Sequence, residues 1–127
     1  MYEIIPALPS HITDIRRIAE ITWPVAYGHI LSAEQLQYML GLFYSDQALN
    51  RQMTEQEHRF ILLVENTRNV GFASYSLMTG NDPGRYRLHK LYVLPETQGK
   101  GYGKILIEHI LQDILSKHGN VLELNVN

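Results

Sequence analysis

Apolar positions change their spacing twice along the chain, and those changes divide it into elements. Tyr2 to Ile5 predicts a short strand, stopped by Pro6 and Pro9. Ile12, Ile15, Ile18, Ala19 and Thr22 then recur at helical spacing. They predict a helix opened at Ser10 or His11 and closed by Pro24. Ser32 and Gln35 have the spacing of a capping box, and Leu36, Met39, Leu40 and Phe43 supply the apolar stripe of the helix behind it. Asp46 to Thr54 predicts a third helical stretch with Ala48, Leu49 and Met53 turned inward. From Phe60 to Val64 the apolar run is continuous, as in a buried strand. Asn66–Asn69 reads as a turn, Val70–Met78 as a strand, 80–84 as a loop, and Arg85–Leu94 as a strand halted by Pro95. Short links make these three strands an antiparallel meander.

A glycine-rich turn follows, then a helix whose stripe is Ile105, Leu106, Ile110, Leu111, Ile114 and Leu115. Gly119 stands where a left-handed C-terminal cap belongs, and Val121–Val126 predicts a last strand. The fold class is therefore α/β of the α+β type, one domain over residues 1–127. Its mixed, mostly antiparallel sheet is flanked by helices in the order β-α-α-β-β-β-α-β, and the last strand runs parallel to the one before it.

Composition narrows the function. The 127 residues are 45% hydrophobic and 19% charged, with a formal charge of -2 and no cysteine. Disulfides, thiolate metal sites and a cysteine nucleophile are excluded. A basic nucleic-acid binder is not expected. The N-terminus has no secretory-signal pattern and no apolar run approaches a membrane span, so neither a membrane nor export is expected and the cytoplasm is the expected location.

The chemistry is concentrated in Leu91–Lys104, where a buried strand ends, Gly99, Gly101 and Gly103 alternate, and a helix begins. Amides at a helix start lack intrahelical partners, the helix dipole is positive there, and glycine lets a phosphate approach. Lys100 and Lys104 add charge. The pattern predicts a pyrophosphate cradle. It is not a P-loop, since Gln98 and Ile105 fill the positions of the first glycine and the hydroxyl. It is not a dinucleotide fingerprint either, since Lys104 stands at the third glycine.

Gln98-Gly99-Lys100-Gly101-Tyr102-Gly103, preceded by Leu91-Tyr92-Val93-Leu94-Pro95, resembles the GNAT acetyltransferase superfamily, and the order of elements resembles it over nearly the whole chain. The resemblance implies an acyltransferase that binds acetyl-coenzyme A. The backbone of Leu91, Tyr92 and Val93 would lie along the pantetheine arm, the amides from Gln98 to Lys104 on the pyrophosphate, and the Val93 N–H on the thioester oxyanion. Transfer to a primary amine would be direct, in a ternary complex. His89 on the fourth strand is the candidate base, by its offset from the glycine loop. A glutamate used in another branch is replaced by Asn125, which could orient a water or touch substrate. Trp23, Tyr27, Tyr38 and Tyr44 fall in the region that forms the acceptor wall, and suggest a small amine or polyamine. His11, His29, His58, His109 and His118 have no metal-ligand spacing and are expected at the surface, so no metal is expected.

Measured against the family pattern, the chain is expected to be C-terminally truncated, without the usual last helix and two strands. An exposed last strand would then favour a homodimer. Two other functions stay open: a coenzyme A-binding interaction module with little catalysis, and an acetyltransferase for protein lysines or N-termini.

Overall fold

The computed structural model describes residues 1–80 and 83–124. Five strands form one sheet in the order β1-β2-β3-β4-β5: β1 (Tyr2–Pro6), β2 (Arg59–Glu65), β3 (Arg68–Leu77), β4 (Arg85–Val93) and β5 (Val121–Leu124). The first four are antiparallel neighbours, and β5 joins β4 in parallel. The helices are α1 (Ile12–Tyr27), α2 (Ala33–Tyr44), α3 (Asp46–Thr54) and α4 (Tyr102–Ser116). This is the mixed, helix-flanked sheet expected from the sequence. Val126 and Asn125, predicted in the last strand, and Asn81 and Asp82 of the predicted loop lie outside the described residues.

Local chemistry accounts for most boundaries. Ser32 Oγ accepts from the Gln35 N–H (3.1 Å) and Gln35 Oε1 from the Ser32 N–H (2.9 Å), closing the capping box of α2. Ser45 caps α3 by accepting from the Ala48 N–H. Asn66 and Thr67 both adopt positive φ in the two-residue link between Glu65 and Arg68, the twist that suits a tight hairpin.

Three expectations need correction. Pro24 lies inside α1 and does not close it. A proline removes only the bond to Glu20's carbonyl, on an exposed residue that water can serve, while Trp23 and Tyr27 anchor the last turn. The left-handed residue after α4 is His118 (φ 63), not Gly119. The Gly119 N–H reaches Ile114 O and the His118 N–H reaches Leu115 O, a Schellman closure with His118 at its left-handed position. Gly119 is required for space, since a Cβ there would sit 2.8 Å from both Ile114 O and the Tyr86 ring. The α4 stripe is also narrower than expected: Leu106, Ile110 and Ile114 are buried, while Leu111 and Leu115 are exposed.

The core has two layers. Ile15, Ile18 and Trp23 of α1, with Leu40, Tyr44 and Leu49, cover one sheet face through Phe72, and Leu106, Ile110 and Ile114 of α4 cover the other. Among the described residues no helix is long and apolar enough to cross a membrane.

Candidate active site

Pairing between β4 and β5 runs from Arg85/Val121 to Leu88/Leu124. Beyond Leu88, no described strand pairs with that edge of β4. The Leu94 N–H donates to Val70 O at 2.8 Å, toward β3. Successive amides of a strand point to opposite edges, so the Val93 and Leu91 N–H groups point to the open edge. Thr97, buried, donates its hydroxyl to Leu94 O (2.8 Å) and fixes the single turn Pro95–Thr97 that carries the chain into the glycines.

Gly99 (φ 89) and Gly101 (φ 76) adopt left-handed conformations, which explains glycine at both. Gly103 has no such need. Around all three, a Cβ would meet no protein atom within 4 Å. Gly101 is the N-cap of α4 and no side chain caps it. The first helical bond is Ile105 N–H to Gly101 O, so the amides of Tyr102, Gly103 and Lys104 have no intrahelical partner.

The open strand edge and this uncapped helix start share one cleft of about 380 Å3. Thr22, Val25 and Ala26 of α1 form one wall, Leu91, Tyr92 and Val93 another, and Gln98, Gly99, Gly101, Tyr102 and Gly103 the floor. From the sequence this end of α1 was expected to help form the acceptor wall, and Thr22 was expected only as a buried helical position. Of the residues expected on the cofactor, Lys100 and Lys104 do not line the cleft, and the Gln98 N–H, expected on the pyrophosphate, is spent on Pro95 O (3.1 Å). Lys100 Nζ lies 2.8 Å from Glu65 Oε2, and the Tyr102 hydroxyl donates to the same oxygen. Hydrogen bonds from Lys100 and then Tyr102 hold the Glu65 carboxyl below its usual range. Lys104 is paired loosely with Glu108 at 3.9 Å. Glu65 carried no signal in the sequence, because only the β2–β3 hairpin brings it beside the loop.

The expected aromatic wall is mostly core. Trp23 is centred among Tyr27 (4.9 Å between centroids), Tyr44 (5.7 Å) and Tyr92 (6.0 Å). Trp23 and Tyr44 are buried. Tyr27 and Tyr92 are half-buried with their hydroxyls 3.0 Å apart, and burial raises the Tyr92 phenol above its usual range. Tyr38 is 71% exposed on α2 and has no part in the cluster.

His89 is the extra residue of a bulge in β4. The register with β3 passes from Ser74/Lys90 to Tyr75/Leu88 and skips it. The His89 and Lys90 side chains therefore leave the sheet on the side of α3. The His89 Nε2 lies 2.8 Å from Ser76 Oγ, and its ring stacks flat on His58 at 3.9 Å. Burial, then the charges of His58, Lys90 and Arg87, push the His89 pKa down to about 4. His58 is half-buried, where an exposed histidine was expected. Lys90 Nζ donates to Gln52 Oε1 (3.0 Å) between the rings of Tyr44 and Phe60, and burial pushes its pKa down to about 8. Asn125 lies outside the described residues.

The model of the family described as "Acetyltransferase (GNAT) family" matches residues 12–127. The PaiA N-acetyltransferase of Thermoplasma acidophilum, in complex with coenzyme A, superposes with a TM-score of 0.88 at 22% identity, over 99% of this chain and 79% of that one. A GNAT family acetyltransferase from Brucella melitensis, in complex with acetyl-CoA, gives 0.72 at 20% identity over 100% and 77%. A GCN5-related N-acetyltransferase from Ralstonia eutropha JMP134 gives 0.79 at 15% identity over 99% and 84%. No protein of curated function matches by sequence.

Proposed function

The chain belongs to the acetyltransferase (GNAT) family, and we propose that it transfers an acetyl group from acetyl-coenzyme A to the primary amine of a small molecule. The observation that carries this reading is the meeting of the uncapped α4 start and the outward amides of β4 in one cleft. The cleft fits the cofactor. Glycines with no protein atom near a would-be Cβ leave room for phosphates beside free amides, and the strand edge offers hydrogen bonds to a pantetheine amide chain. The neighbours solved with coenzyme A and acetyl-CoA support the same choice.

When bound, acetyl-coenzyme A supplies the thioester as acyl donor. The amides from Gly99 to Lys104 would hold the diphosphate, with the helix dipole adding to them. Leu91 would align the pantetheine arm through its outward N–H, and the Val93 N–H would stabilise negative charge on the thioester oxygen. No acyl-enzyme forms on a thiol, since the chain has no cysteine. The attacking amine must shed a proton. His89 is neutral at pH 7, held so first by burial and then by neighbouring charge; it stands outside the cleft lining, and would take that proton through water.

Calorimetry with acetyl-coenzyme A, followed by thiol release with a panel of amines, tests the reading. Binding with amine-dependent release supports it. No binding overturns it, and binding without release for any amine favours an interaction module.

A further inference from the structure

We propose that His58 is a positioning residue for His89, and that the two stacked imidazoles act as one unit that carries a single proton. The inference rests on the reading of His89 as the group that takes the amine's proton. The rings come from separate places in the chain, His58 just ahead of β2 and His89 within β4, and lie 3.9 Å apart and 5° from parallel. Main chain sets His58: its N–H donates to Gln52 O (2.9 Å) near the end of α3, and Glu57 before it turns the chain at φ 56. The bulge sets His89, whose Nε2 lies 2.8 Å from Ser76 Oγ. One nitrogen and one face of the His89 ring are thus fixed, while the residue stays open to solvent. A base that works through water needs such a hold, because the plane of the ring decides where its second nitrogen points.

Two imidazolium rings at this separation repel each other, so the first proton opposes a second. The surrounding charges decide which ring receives it. On β4, Lys90 acts on both rings, and Arg87 acts on His89 although it is paired with Glu123 of β5. His58 borders one cleft with Glu57 and Arg59, and another with His109 and Asp113 of α4. Asp113 is itself engaged by Tyr75, Arg59 and Lys117. From α3 and β3 the contacts are the neutral Gln52 and Ser76. The carboxylates therefore fall on the side of His58, and Arg87 on the side of His89. The first proton settles on His58, and its charge then acts on His89. His58 Nδ1 is buried without a partner, so this proton too is weakly held, and both rings are neutral at pH 7. By taking the first proton, His58 keeps His89 unprotonated to a lower pH than burial by itself would.

The test has two arms. In the first, NMR follows both rings of the full chain as the pH is lowered from neutral. His58 should titrate first and His89 at a lower midpoint. His58→Phe keeps a ring against His89 but cannot be charged, and in it the His89 midpoint should rise by about half a unit or more. A wild-type His89 that titrates before His58, or a midpoint unmoved in the variant, overturns the proposal. The wild-type order decides even where the variant does not fold. In the second arm, the acid limb of kcat/KM should move up with that midpoint in His58→Phe. Its kcat at pH 7 should exceed that of His58→Ala by about fivefold or more, with both variants shown by melts to be folded. Equal kcat in the two variants overturns the positioning role. A midpoint that moves while the acid limb stays supports the coupled pair and overturns the reading of His89 as the base. If no amine is acetylated, the reading of the function fails by itself, and the NMR arm still decides the pair.

Discussion

Lys100 Nζ and Glu65 Oε2 lie 2.8 Å apart, so the lysine of the glycine loop is held by a hairpin carboxylate and does not line the cleft. Lys100 is exposed and Glu65 half-buried, and Glu65 is the one carboxylate seen fixing this loop among the described residues. Its charge opposes any phosphate bound by the neighbouring amides. Glu65→Gln should therefore tighten acetyl-coenzyme A about threefold to tenfold at low salt, with the gain shrinking as salt rises. Calorimetry at two ionic strengths measures it. Weaker binding in the variant would show that Glu65 serves mainly to brace the loop through Tyr102.

The glycines of the loop should separate in a paired experiment. Gly101→Ala forces a side chain into φ 76 and should cost about 1 kcal/mol of stability as well as cofactor affinity. Gly103 lies in the first turn of α4 without positive φ. Gly103→Ala should leave stability unchanged or raise it by up to about 1 kcal/mol, yet weaken acetyl-coenzyme A because the methyl enters the cleft. Thermal melts with and without the cofactor read both effects.

Lys90 links burial to pH. Its pKa is pushed down to about 8 by burial, below the 10.5 of an unfolded lysine. Between those values the unfolded chain binds more protons, so stability rises with pH across that window. Below about pH 8 the full penalty of a buried cation is present. Lys90→Met removes it but strands the Gln52 oxygen, so the variant should be more stable by about 2 kcal/mol at pH 7. The advantage should fade toward pH 10.5. Denaturant melts over pH 6–10.5 check the slope.

His89→Gln should lower kcat/KM by about 100-fold or more if the imidazole accepts the amine's proton. A loss below about tenfold removes it from that role. In the wild type the acid limb set by His89 should lie near pH 4, where its pKa is held by burial, His58, Lys90 and Arg87. The limb should be absent from any residual activity of the variant.

The hydroxyls of Tyr27 and Tyr92 form a half-buried pair at 3.0 Å. Removing either one leaves the other without its partner. Tyr27→Phe or Tyr92→Phe should each cost about 1 kcal/mol, and the double variant should cost less than their sum. A double-mutant cycle by chemical denaturation measures the coupling.

Much of this molecule is written in local sequence. The capping box at Ser32 and Gln35, the glycine turn and the apolar strands follow from neighbours within a few residues. What escaped depends on distant chain. Pro24 continues α1 because Tyr92, far along the chain, supports the turn beyond it through Trp23 and Tyr27. Gly119 is glycine because Tyr86 crowds it, and His118 takes the turn in its place. The burial of Gln52 makes sense with Phe43 O and Lys90 as its partners, and neither period nor propensity announces the contact with Lys90. The site divides likewise: its backbone half was legible in glycine spacing, and its side-chain surroundings were not, because Glu65 and His58 arrive from other elements.

The extra residue at His89 also acts as a phase reset. Tyr86 lies against the C-terminal end of α4 and Tyr92 lies under α1, although they are six residues apart and an unbroken strand would put them on one face. Deleting His89 would close the bulge and leave Tyr86 and Tyr92 five residues apart, still on opposite faces, with the Leu91 and Val93 amides still turned outward. The inserted amino acid thus gives the strand a second side chain beside Lys90 on one face, at no cost to the donors it offers farther along.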